Sequence, residues 1–108
     1  MKLIKIIDSS NSKKKLDAYF ELDNKKEKII SFGASSYRDY TLINNKSSKF
    51  YLPKKEDREK VKSAYIARHK KNENWNDPLT AGSLSRFVLW NKSSLNASIK
   101  DFKTRFNL

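Results

Sequence analysis

The chain's only histidine, His69, sits in the run RHKKNENW, residues 68–75, among Arg68, Lys70 and Lys71 and ahead of Glu73 and Trp75. A histidine works as a general base when a partner orients it, and the carboxylates near it in sequence are Glu73 and Asp77. Three neighbouring cations oppose its protonation and suit an anion nearby. One histidine cannot make a multi-histidine metal site, and on a helix it lies one turn from Tyr65 and near Ile66. Partial packing is its simplest role. No Asp-x-Asp, His-x-Glu or carboxylate cluster has the spacing of a two-metal centre. The expectation is a non-enzymatic protein with no metal and no cofactor.

Arg68 is more informative, because it shares a helical stripe with Val61, Ala64 and Tyr65, where an unpaired charge is costly. The favoured expectation is a buried pair with Asp39 or Asp77. The alternative is a guanidinium that emerges at the helix end, where its planar fork grips a phosphate bidentately. TAGSLSR, residues 80–86, is a second candidate anion seat, with Thr80, Gly82 and Ser83 at a helix start and Arg86 one turn along. Its spacing matches neither a GxxxxGK[ST] phosphate loop nor a dinucleotide fingerprint, so capping by Thr80 and close packing at Gly82 is the preferred reading. Trp75, in the polar NENWNDP, suits either base stacking or packing; Trp90, inside FVLW, reads as core.

The whole chain shares this basic character. Its 108 residues carry 24 Lys and Arg against 12 Asp and Glu, a formal charge of +12. Such a field draws polyanions at low salt: nucleic acid, an acidic protein surface or anionic lipid. Most of the cations are lysine, and Lys, Asn and Ile are abundant together, as AT-rich codons would favour, so part of the charge has a compositional origin. The cations best placed for a polyanion are Arg68, Lys70 and Lys71, with Lys13, Lys14 and Lys15 and Lys25, Lys26 and Lys28 on two predicted hairpin turns. Absence of cysteine excludes disulfides, thiolate catalysis and Cys-ligated zinc. MKLIKIIDSS is too charge-interrupted for a signal peptide, and no apolar run approaches the roughly 20 residues of a membrane span. A non-secreted protein is expected.

Mean hydropathy of −0.84 leans toward disorder. Against it stand six Phe, five Tyr and two Trp, spaced periodically. Ile4 and Ile6 in LIKIID, Leu16, Ala18, Phe20 and Leu22 in LDAYFEL, and Ile30 and Phe32 in KIISFG alternate with polar residues, which predicts half-buried strands. SSNSKKK and DNKK supply the turns. DYTLI adds a fourth candidate strand. After Pro53 the period changes. KKEDREKVKSAYIARHKK begins acidic and ends basic, as a helix dipole favours. Leu84, Phe87 and Val88 mark the inner face of a second helix. Leu95, Ile99, Phe102 and Phe106 make the stripe of a third, capped by Ser94. The prediction is one α+β domain over 1–108: a small antiparallel meander within 1–45, then helices near 54–72, 80–91 and 94–106 packed on one face.

The frame FGASSYRDYT followed by YIARHKKNENWNDPLTAGSLSRFVLWNKSSLNASIKDFKTRF resembles a family of short basic proteins of nucleocytoplasmic large DNA viruses, the giant viruses of protists and algae. The resemblance runs from about Phe32 to Phe106 and rests on RHKK, TAG, LWNK and the closing RF. The chain departs from the pattern at Ser93, where several members carry Pro, and at Ser36, where many carry Gly. The family has no assigned activity, so the resemblance implies a setting, the virion or a factory in host cytoplasm, and no catalytic residue. The combined expectation is a virus-encoded protein that binds DNA or RNA without strong sequence specificity. The alternative is a minor capsid or assembly protein that docks on an acidic virion surface.

Overall fold

The computed structural model describes residues 1–108. Three strands, β1 (Lys2–Asp8), β2 (Lys14–Glu21) and β3 (Glu27–Ala34), form an antiparallel meander in the order β1-β2-β3. Helices follow: α1 (Tyr40–Ile43), α2 (Lys55–His69), α3 (Ala81–Leu84), which runs into one π-helical turn over Ser85–Leu89, and α4 (Leu95–Phe106). The fold is α+β.

Alternation builds the sheet. Leu16, Ala18 and Phe20 of β2 and Phe32 of β3 are buried on one face, with Ile30 partly buried beside Ala18. Leu3 pairs with Phe20 and Ile6 with Ala18, so both reach the same core. Ile4 does not share that face with Ile6. Between Leu3 and Lys5 the register slips by one residue, a β-bulge that leaves Ile4 half exposed.

DYTLI is a helical turn and not a fourth strand. The Asp39 carboxylate accepts the Leu42 N–H at 3.1 Å, which satisfies a helix-start donor, and Tyr40 and Ile43 are buried one turn apart. Thr80 and Ser94 cap α3 and α4 in the same way, through the N–H groups of Ser83 and Ala97. Asn107, in the left-handed region at φ 55°, closes α4.

α3 and the π turn pack on β3, and α4 packs on the π turn. Phe20, Phe32, Ile43, Leu84, Val88 and Phe102 are fully buried between them. At roughly 1.5–3 kcal/mol per large apolar side chain, this small core is the main source of stability. α2 stands further from the sheet and reaches the core through Tyr65, with Val61 and Ile66 packed against it. That stand-off leaves a groove.

Candidate anion-binding groove

The groove has a volume of about 890 Å³. One wall is the start of β2, the end of β3 and the following loop, carrying Lys14, Tyr37 and Arg38; α2 supplies the other, carrying Lys60 and Arg68. Its floor is the buried trio Tyr65, Leu89 and Trp90. The π turn sets that floor: Trp90 N–H donates to the Ser85 carbonyl five residues back, and the wider turn carries Leu89 and Trp90 into the groove.

Tyr65 is the centre of an aromatic stack. Its ring lies 4.4 Å from Trp90 with planes 8° apart, and 4.2 Å from His69 at 28°. Burial and the nearby Glu73 carboxylate push its phenol well above the ordinary tyrosine range. His69 Nδ1 lies 3.1 Å from Glu73 Oε1, while Glu73 Oε2 accepts the Trp75 indole N–H at 2.8 Å. Of the two carboxylates expected near His69, Glu73 is its partner. His69 is part of a stacked, hydrogen-bonded framework.

Both carboxylates lining the groove are engaged within the chain. Besides its cap to Leu42, Asp39 takes the Lys15 ammonium at 2.6 Å and the Thr41 hydroxyl at 2.5 Å. Glu73 is bound by His69 and Trp75. Lys14, Arg38, Lys60 and Arg68 are exposed and form no ion pair. The groove lining therefore carries five Lys and Arg side chains against two carboxylates, and four of the five cations are in no ion pair. The buried pair expected for Arg68 does not form: Lys15 already holds Asp39, and the guanidinium emerges into the groove near the end of α2.

The remaining predicted residues divide. Lys14 and Lys15 join Arg68 in the groove, Lys15 as Asp39's partner. Lys13, Lys70 and Lys71 are exposed but lie outside its lining. Lys25, Lys26 and Lys28 sit at the opposite end of the sheet, where Glu21 pairs with Glu27, whereas the groove lies where Lys14 pairs with Ala34. Trp75 is no free stacking platform, since it packs edge-on to Phe87 and is tied to Glu73.

Arg86 also lies outside the groove. It donates to the Trp90 carbonyl at 2.7 Å and sits over the Phe87 and Trp75 rings, 5.0 and 5.5 Å from their centroids. Its Nε is buried without a partner, and burial, reinforced by the Arg105 charge, lowers its pKa. The TAG turn does not offer an empty anion seat, because the Glu73 carboxylate is packed against Gly82.

Arg38 and Lys60 are groove residues that sequence reasoning missed, and Tyr37 joins them there. Lys60, next to Val61 in the chain, lines the same groove. Lys62 also turns inward: it donates to the Asn91 carbonyl at 2.7 Å and lies over the Tyr40 ring, and burial lowers its pKa. No group of three or more His, Cys, Asp or Glu side chains converges on a metal-sized site, and no helix is long and apolar enough to cross a membrane.

Fold and groove together define a small basic α+β protein with a cationic, aromatic-floored groove. No protein-family model, curated protein or solved structure matches the chain.

Proposed function

We propose that this chain is a non-enzymatic binding protein whose groove takes the phosphodiester backbone of nucleic acid without strong sequence preference. The observation that carries the reading is the imbalance inside the groove: Lys14, Arg38, Lys60 and Arg68 are unpaired, whereas Asp39 and Glu73 are spent internally. Cations on both walls reach successive phosphates of one strand, and binding is driven by release of condensed counterions. No Asn or Gln lines the groove and its two carboxylates are engaged, which leaves Arg38 and Arg68 as the side chains able to read a base edge and supports recognition carried mainly by the backbone. The motif resemblance supplies the setting, a virion or viral factory.

A salt titration tests this. Four neutralised phosphates give a slope of log K against log salt of about −2.8 on a single strand and about −3.6 on a duplex. Arg68→Gln and Lys60→Gln each reduce its magnitude by about 0.7–0.9. Lys26→Gln and Lys28→Gln, at the far end of the sheet, leave it unchanged. Affinity that does not fall as salt rises rejects the reading.

A second reading, a structural protein of the virion, draws on the helix-free face of the sheet. Ile7 and Ile29 are 42% and 49% exposed there, beside the partly exposed Tyr19. Pull-down from virions with and without nuclease separates the two, because a protein partner survives nuclease and a nucleic-acid tether does not.

A further inference from the structure

Resting on the nucleic-acid reading, we infer that the groove selects single strands over duplexes, with Tyr37 as the stacking platform for an unpaired base. Tyr37 is 71% exposed, the most exposed of the large apolar side chains, and it stands at the groove beside Arg38. It stacks on no aromatic ring of the chain, carries no cation over its face and makes no side-chain hydrogen bond, unlike Tyr19, Tyr40 and Tyr65. Nothing in the fold uses this ring.

Deeper in the groove a second group is unused. Tyr65 lines the floor, and its hydroxyl makes no hydrogen bond within the chain but keeps access to solvent, since Arg86 Nε is the one buried side-chain polar atom without a partner. A base edge or sugar hydroxyl entering the groove would take the place of solvent at this hydroxyl. The half-buried Phe50 ring also lines the groove, adding apolar surface.

Shape decides which nucleic acid uses all of these. A duplex is a convex cylinder with its bases stacked inside, so it presents phosphates to the rims and no base face to Tyr37. An unpaired strand presents both, with phosphates between Lys14 and Arg38 on one wall and Lys60 and Arg68 on the other, and a base face free to stack. Cations that track the backbone combined with an open aromatic face are the working parts of a sequence-tolerant single-strand site.

The test measures equilibrium affinity at fixed salt for three probes: an oligothymidylate, a DNA duplex of equal strand length, and an abasic phosphodeoxyribose strand. The expected order has the oligothymidylate about tenfold or more ahead of the other two. Tyr37→Ala lowers oligothymidylate affinity about 5- to 30-fold and leaves duplex and abasic affinities unchanged; Tyr37→Trp restores it. Arg68→Ala weakens all three. Because the Tyr37 ring is exposed, its variants are expected to melt as the parent does, so the loss reports binding. Equal affinity for all three probes, or a Tyr37→Ala variant with full single-strand affinity, overturns the inference while leaving backbone recognition standing. Absence of salt-dependent binding to every probe overturns both.

Discussion

The Glu73 carboxylate fills the space over Gly82: a Cβ built on that glycine would stand 2.9 Å from Glu73 Cδ and 3.2 Å from both carboxylate oxygens. The glycine is needed for this approach. It lets Glu73 come down between His69 and Trp75, and that bridge ties the end of α2 to the start of α3 across the floor of the groove. Two motifs separated by only a short loop, RHKKNENW and TAG, meet in this one contact.

Gly82→Ala must therefore displace a carboxylate that is pinned on both oxygens. The pair with His69 is partly exposed, which limits its worth, so the expected cost is about 1–2 kcal/mol, most of it from the Trp75 bond and the local shift. Thermal melting reads the loss, and a red shift in tryptophan emission reports the freed Trp75. A variant with unchanged melting and emission would show that Glu73 moves aside at no cost.

Asp39 holds the other side of the groove. Its side chain is 3% exposed and its Lys15 partner 14%, so removing the acid alone leaves an ammonium with little water and no counter-charge. Asp39→Ala is expected to destabilise by about 3 kcal/mol, with loss of the α1 cap included. Lys15→Met combined with Asp39→Asn, which keeps a capping carbonyl, should cost less than Asp39→Ala alone. Chemical denaturation of the three proteins gives the comparison.

Acid stability has a specific contributor in Asp17. Its carboxylate accepts the Ser31 hydroxyl at 2.6 Å, and this bond, with a second from Ser9, holds its pKa below the usual carboxylate range against the opposing effect of burial. A depressed folded pKa gives stability that is present above the unfolded value of about 3.9 and is lost as pH falls through the folded one. Ser31→Ala removes the larger cause. The Asp17 carboxyl should then titrate at higher pH by carbon NMR, and the acid-unfolding midpoint should rise with it. A titration unmoved by the substitution would place the cause elsewhere.

Arg86 is engaged within the chain, bonded to the Trp90 carbonyl and lying over the Phe87 and Trp75 rings. Arg86→Lys keeps the charge but loses the planar group over Phe87 and Trp75, and an ammonium does not reproduce the guanidinium's directed bond to the Trp90 carbonyl. The expected outcome is a loss of about 1–2 kcal/mol in stability with polyanion affinity and salt slope unchanged. A changed slope would put Arg86 in the binding surface.

Local chemistry made much of the architecture legible. Period two in Leu16, Ala18 and Phe20, the α4 stripe, and the caps at Thr80 and Ser94 depend on neighbours a few residues away, and each appears where the pattern places it. DYTLI failed as a strand because five residues carry no decisive period; the Asp39 cap on the Leu42 N–H and the helical bond from the Ile43 N–H to the Asp39 carbonyl decide the matter. Ile4 failed because a bulge resets the alternation after Leu3, and a bulge is a property of two paired strands.

Charge and aromatic content were also set by the sequence alone: an excess of cations, no thiol chemistry, and enough aromatic residues to fill a small core. Tertiary structure decided which cations act together. Lys14, Arg38, Lys60 and Arg68 come from two strand-end segments and one helix, and they meet only because α2 stands away from the sheet around Tyr65 and Trp90. Whether a charge is free depends in turn on who has already taken its partner, and Lys15 reaches Asp39 from 24 residues away. Such pairings are settled by packing between distant segments, for which residue spacing along one segment carries no signal.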